Sequence, residues 1–446
     1  MTATPPSSAS RLNTFVAPVP DAKLMRRLVP INRWLNLHGL PLLRDLPGLR
    51  RLPGLAGLCD IRDIQIPDAD QTRLRASLQA GQACFLAPNH PEFFTDWMID
   101  KELSARFAPR LACWATHDIV NGMGAAMQRF WLRNNLIAQI PGSGGAAAKQ
   151  HSVAWALQGH GVLLHPEGAV NWHADRIAPL YQGVAELALD AYSSLDEQAA
   201  TQRVLVQPLL WKLRFIRDES AAIGKELAWT AKRLRLPLDP AQALPQQLQQ
   251  ILAALLAREA EAAGILLPEA PYFTRRRQFL ATLAQQLDQL TPDSALSLPA
   301  PRRWQRAARE SEDRQRKQQL KQGLAAWERL NRVDETAYNQ PLLAQEHIAE
   351  CVKRIRQDYC RGTLRDTLNA YCPRPPGPRS LQLRVPEAID VGRWLSEHPG
   401  ADAQALTQHL RQLMQRDLDL LLQQLHQTRP YWTLPNPLYQ AELSDA

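Results

Sequence analysis

The sequence predicts an α/β fold. Two observations carry this reading. Short apolar runs of strand length, around Cys84–Pro88 and Gly161–Leu164, end abruptly in polar punctuation, and other segments carry apolar residues at helical spacing. The chain has 446 residues, enough for two or three domains, and 45% hydrophobic residues suffice for a substantial core.

The first expected element is a basic amphipathic segment, residues 1–58. Between Lys23 and Leu52, seven basic residues and a single acidic one, Asp45, are interleaved with Leu24, Met25, Leu28, Ile31, Trp34 and a series of leucines. A basic, Trp-bearing stripe suits anionic lipid headgroups, and the same leucines can pack on the protein's own body. Pro30, Pro41 and Pro47 are expected to break the segment into short helices. The start, Met1–Ser10, has neither a charged nor an apolar signal region, so no signal peptide is expected. No uninterrupted apolar run approaches the length of a membrane span.

The run Cys84-Phe-Leu-Ala-Pro ends in Asn89-His90, and Asp96 follows six residues after the histidine. An imidazole at a strand end can remove a proton from a hydroxyl, and a carboxylate on its other nitrogen would fix the tautomer and stabilise the imidazolium. An Asn-His-Pro turn followed by an Asp N-cap is also ordinary loop chemistry. A second apolar strand, Gly161-Val-Leu-Leu-His165, ends in Pro166-Glu167-Gly168. Around it stand Leu136–Gly145, Ile177–Leu189 and the strand Arg203–Trp211, which contains Val206-Gln207-Pro208.

With these blocks in this order, the chain resembles the glycerolipid acyltransferase superfamily, which includes the 1-acylglycerol-3-phosphate acyltransferases. The resemblance covers residues 60 to 215 and 381 to 426 and implies a mixed sheet flanked by helices. It also implies that His90 is the base that activates an acceptor hydroxyl against an acyl thioester, that Asp96 orients it, and that Asn89, Pro166, Glu167 and Gly168 line the acceptor site. Five residues separate His90 from Asp96 where the family has four. The Thr-Arg that follows Glu-Gly in the family is Ala169-Val170 here, and the middle block offers Gly142-Ser143-Gly144-Gly145 in place of an arginine. Both missing arginines would grip a phosphate. Lys149 and Arg176 are the candidate substitutes, as are backbone N–H groups of the glycine cluster.

Acyl transfer from a thioester needs no serine or cysteine nucleophile, and Cys84, inside an apolar strand, reads as a core residue. Neither a Gly-x-Ser-x-Gly elbow nor a phosphate-binding Walker loop is present. His90, His117, His151, His160, His165 and His173 crowd into one hundred residues, but none shows helical metal-ligand spacing, so no metal is expected and His117, His151 and His160 read as structural or surface groups. Six scattered cysteines form no disulfide framework, which suits a reducing cytoplasm. The net charge of +8 suits an anionic membrane or an acidic acyl carrier, and no motif for nucleic acid accompanies it.

Residues 217–380 are rich in Gln, Leu, Ala and Arg with helical apolar spacing, as in Leu244–Leu256 and Phe279–Leu287. Within them Arg302–Arg332 carries ten basic residues against four acidic ones, either a solvated helix face or a contact for membrane or carrier protein. Alternation resumes at Leu381–Val391 and a long helix follows at Ala405–Leu425. The family ends its domain with such a strand and helix, so the expected organisation is residues 1–58, a first acyltransferase segment 59–216, a helical insertion 217–380, and a final strand, helix and tail at 381–446.

The expectation is an acyltransferase at the cytoplasmic, inner face of a membrane, held there peripherally. It would move a fatty acyl group from acyl-CoA or acyl carrier protein to a lipid hydroxyl, such as that of 1-acylglycerol-3-phosphate, without a further cofactor. An O-acyltransferase for a non-phosphate lipid, or a non-catalytic lipid-binding protein of the same fold, stand as alternatives.

Overall fold

The computed structural model describes residues 15–44, 46, 56–139, 144–170, 175–195, 202–292, 300–372, 374–428 and 432–441. The chain divides into two compact units, Met1–Arg217 with Tyr371–Pro430, and Asp218–Ala370 with Tyr431–Ala446.

The first unit is built on an eight-stranded, mostly parallel sheet. Its strands are β1 (Ile61–Gln65), β2 (Gln82–Pro88), β3 (Ala112–Thr116), β4 (Leu136–Gln139), β5 (Val162–Leu163), β6 (Arg203–Phe215), β7 (Arg379–Arg384) and β8 (Ile389–Asp390). The order across the sheet is β1-β7-β6-β2-β5-β3-β4, with β8 also on β6. Strand β2 lies parallel to both β6 and β5, while β7 runs antiparallel to β6 and parallel to β1. The helices are α1 (Ala22–Ile31), α2 (Asp68–Ser77), α3 (Phe93–Phe107), α4 (Ala125–Arg133), α5 (Gly144–Leu157), α6 (Gly183–Ser193), α7 (Val391–Glu397) and α8 (Ala403–Thr428).

Because β2 is buried on both faces, its sequence is continuously apolar rather than alternating. Ala83, Phe85 and Ala87 enter one core with Trp155 of α5, Leu187 of α6 and Leu410 of α8. Cys84 and Leu86 enter the opposite core with Leu74 of α2, Ile99 of α3 and Trp211 of β6. The central strand is thus clamped between two helical layers, and its C-terminal end is the edge from which side chains emerge.

The single strand expected over Leu381–Val391 is two strands, β7 and β8, both paired with β6. Pro386 has no N–H for a ladder, and it stands where β6 itself carries Pro208. The buried Gln207 side chain fills the gap by donating to the Pro208 and Pro386 carbonyls, each at 2.9 Å.

Pro30 does not break the N-terminal segment as expected. Helix α1 runs through it to Ile31 and continues as a π-helical stretch, Asn32–His38. Pro30 thus stands in the last turn of the regular helix, and the helix widens just after it. Asn32 donates to the Met98 carbonyl, Arg33 pairs with Glu102, and Leu37 is buried in the second core, so one side of the segment packs on the unit. Ile31, Trp34, Leu35, Leu40, Leu42, Leu43 and Leu46 remain exposed. Pro47, Arg50 and Arg51 lie outside the described residues.

The second unit is helical, with Ser220–Leu234, Leu244–Ala263, Tyr272–Gln289, Arg302–Glu310, Arg314–Asn331 and Gln345–Tyr359 as its main elements. Its two short strands, Leu342–Ala344 and Thr433–Pro435, pair antiparallel. Residues 432–441 fall in this unit. Asn436 secures them by donating to the Tyr338 and Gln340 carbonyls, each at 2.7 Å. In the basic run, Arg303 pairs with Asp288, Arg329 with Glu259 and Arg332 with Asp358, and Arg316 donates to the Leu290 carbonyl. Much of that charge is committed within the unit.

Candidate active site

The site is assembled at the C-terminal end of β2. Beyond the ladder, the Asn89 N–H donates to the Leu209 carbonyl at 3.1 Å. The Asn89 side chain then grips the Trp211 backbone at both ends, Nδ2 donating to its carbonyl and Oδ1 accepting its N–H, each at 3.0 Å. Both amide functions are spent on β6, so Asn89 aims the turn that carries His90.

Two residues on, Glu92 takes the N-cap position of α3, which places Asp96 in the first helical turn, where a carboxylate is favoured by the helix dipole. Asp96 Oδ2 lies 2.9 Å from His90 Nδ1 and also accepts the Glu92 N–H at 2.7 Å. Its Oδ1 accepts the Trp211 indole N–H at 3.0 Å. The five-residue spacing works because the cap turn brings the Glu92 N–H and the imidazole to one oxygen. With Asp96 ionised, the hydrogen of His90 lies on Nδ1 and all three groups donate to the carboxylate. Nε2 then carries the lone pair and has no hydrogen-bond partner among the described residues. The Asp96 side chain is 0% exposed, and His90 retains 16%. Burial pushes the Asp96 carboxyl well above the usual carboxylate range, opposed by the donors from Glu92 and Trp211. Burial, aided by the neighbouring His165, holds His90 well below the usual histidine range. A neutral imidazole with one open nitrogen and an oriented carboxylate can accept a proton from a bound hydroxyl.

Glu167 closes the same turn from β5. Its Oε1 accepts the His90 N–H at 2.7 Å and its Oε2 the Ala178 N–H at 2.9 Å, which pins the chain after the Pro-Glu-Gly block against the histidine turn. The Tyr181 N–H donates to the Pro166 carbonyl at 2.8 Å. Gly168 has φ +68°, and a Cβ there would stand 2.6 Å from the Tyr181 ring, so this position demands glycine on both counts. Behind the turn, Glu92 is buried against Arg379, Oε1 to Nη1 at 2.6 Å, and its other oxygen accepts the Thr95 hydroxyl at 2.7 Å.

A second imidazole completes the group. His165 stacks on His90 with ring centroids 4.0 Å apart and planes 24° from parallel. Its Nε2 meets Asp100 Oδ2 at 3.0 Å and its Nδ1 meets the Asn89 carbonyl at 3.0 Å. Asp96 and Asp100 are one helical turn apart on α3, and each holds one ring. Asp100, Trp211 and Arg379 escaped the sequence reading, and His165 entered it only among the crowded histidines. The four-residue spacing of Asp96 and Asp100 was the available signal, but their partners come from other strands.

Of the proposed phosphate substitutes, Lys149 on α5 forms an ion pair with Glu186 on α6. Arg176 lies half-buried, two residues before the Ala178 that Glu167 holds. Gly142 and Ser143 lie outside the described residues, and Gly144 opens α5. Cys84 is buried in apolar surroundings that push its thiol up to about 12, which leaves it inert. His117 pairs with Asp118, His151 packs between Phe15 and Trp155, and His160 packs on Trp155; His173 lies outside the described residues. Among the described residues no group of three or more His, Cys, Asp or Glu side chains is placed to hold a metal ion, and no helix is long and apolar enough to cross a membrane. No protein-family model matches the chain, and no curated protein matches it in sequence.

Proposed function

We propose that the chain is an acyltransferase of the glycerolipid acyltransferase type, moving a fatty acyl group from acyl-CoA or acyl carrier protein to a lipid hydroxyl such as that of 1-acylglycerol-3-phosphate. The observation that carries this reading is the His90–Asp96 contact at 2.9 Å, with His90 Nε2 left open at the end of the central strand. Ligands of open parallel sheets bind at this edge. The acceptor oxygen attacks the thioester carbonyl while its proton passes to Nε2. Asp96 holds the ring and stabilises the imidazolium that forms. The carbon–sulfur bond then breaks, and the proton leaves with the thiol.

Engagement of Lys149 by Glu186 supports a second acceptor class, a lipid hydroxyl without a phosphate, since one candidate cation is already neutralised. Peripheral attachment to the inner membrane face is part of the proposal, supported by exposed Trp34, Leu35, Leu42 and Leu43 beside Lys23, Arg26 and Arg27. The test is release of free thiol from acyl-CoA and from acylated carrier protein, with lysophospholipids and phosphate-free lipid alcohols offered as acceptors. Acceptor-dependent thiol release supports the reading; none with any acceptor and either donor would remove it.

A further inference from the structure

His165 has no part in the transfer just described, because neither of its nitrogens is open to a substrate. One faces a backbone carbonyl and the other a carboxylate, both at 3.0 Å, and both groups accept. A neutral imidazole has a single N–H and would set its second nitrogen against an acceptor. With Asp100 ionised, both contacts are hydrogen bonds only when the ring carries two protons and a positive charge. Asp100 is buried, its other oxygen has no hydrogen-bond partner among the described residues, and His165 is the group its carboxyl meets directly.

We propose that His165 is a standing imidazolium, clamped between Asn89 and Asp100, and that this fixed charge stacked on His90 makes it a positioning residue for the proton. It keeps His90 neutral before the reaction. It also makes the protonated His90 a ready donor afterwards, a part of the proposal that rests on the acyltransferase reading. As the acceptor oxygen bonds to the acyl carbon, its proton moves to His90 Nε2 and two like charges then face each other across the stack. As the carbon–sulfur bond breaks, that proton passes to the departing sulfur, the ester and free thiol are complete, and His90 is neutral again.

The surrounding charges are consistent with this. Around His90 stand Asp96 on α3, Glu167 at its backbone N–H, and His165; Glu92 behind Asp96 is matched by Arg379. Around His165 stand Asp100, Glu167, His90 and the edge of the Trp211 ring, with Lys101 beside Asp100. Asp96 draws a proton onto His90, and the cation in ring contact opposes it. Burial pulls His165 down, yet the charge and hydrogen bond of Asp100 and the Asn89 carbonyl hold it above the usual histidine range.

The test is nitrogen-detected NMR of the full chain labelled at histidine. Both His165 nitrogens are expected to be protonated at pH 7, and His90 to titrate below the ordinary range. In His165→Gln, and equally in Asp100→Asn, the His90 titration should rise by about one pH unit, the scale of one like charge lost from contact. A singly protonated His165 in the native chain, or a His90 titration unmoved in both variants, would overturn the proposal. These readouts need no turnover, so they fail or succeed independently of acyl transfer. Where transfer is measured, the acid limb of its rate profile must move upward with the titration, and a stationary limb counts against the proposal.

Discussion

Arg379 and Glu92 meet in a buried ion pair at 2.6 Å across 287 positions of sequence. Arg379 opens β7, the strand to which the chain returns after the helical unit, and Glu92 caps α3 and gives its N–H to Asp96. Arg379 also donates to the Cys59 carbonyl at 3.0 Å, which ties the turn before β1 to the same point. The returning strand thus supports the turn that carries His90.

Removing one partner leaves a buried charge uncompensated, so Arg379→Met and Glu92→Gln are each expected to cost about 3–5 kcal/mol of stability in denaturant titration. The double replacement Glu92→Met with Arg379→Met should recover much of that loss. Single variants with native stability would show that the pair is dispensable.

Glu167→Ala removes the acceptor of two backbone N–H groups, those of His90 and Ala178. Each unsatisfied buried donor costs about 1–3 kcal/mol, so thermal unfolding should come earlier and transfer should fall. Glu167→Gln keeps one carbonyl oxygen and should be milder on both measures.

The rate should keep its full value as pH falls through the ordinary histidine range and decline only below it. The proposed base would work when neutral, and burial with His165 lowers the pH at which His90 gains its proton. A decline centred at or above pH 6.5 would contradict this sign.

Vesicle binding should depend on the exposed side of the N-terminal segment. Arg33 is held by Glu102 and Leu37 is buried, whereas Trp34, Leu42 and Leu43 face outward. Replacing Lys23, Arg26 and Arg27 with Gln should weaken sedimentation with anionic vesicles by ~1 kcal/mol per charge, and high salt should do the same to the parent. Trp34→Ala should weaken it further, while Arg33→Gln should alter stability more than binding. Unchanged binding in all these variants would remove the segment as an anchor.

Much of the site was legible because β2 and β5 announce their ends in sequence, Asn89-His90 and Pro166-Glu167-Gly168. The link from His90 to Asp96 is local, and a helix start with a carboxylate in its first turn is a short-range pattern. His165 and Asp100 were opaque for the opposite reason. Their pairing exists only because β5 lies beside β2, a register that no local spacing encodes. Arg379 was hidden likewise, since only the strand order β7-β6-β2 brings it to the turn. The break at Pro386 was misread because alternation on both sides outweighed one residue lacking an N–H.

The most direct measurement compares the native chain with His90→Ala in acceptor-dependent thiol release from an acyl thioester, with circular dichroism and thermal unfolding recorded on both. The account predicts a folded variant whose rate falls by at least ~10²-fold, because the open Nε2 is the base. A folded His90→Ala that releases thiol at the native rate would contradict it.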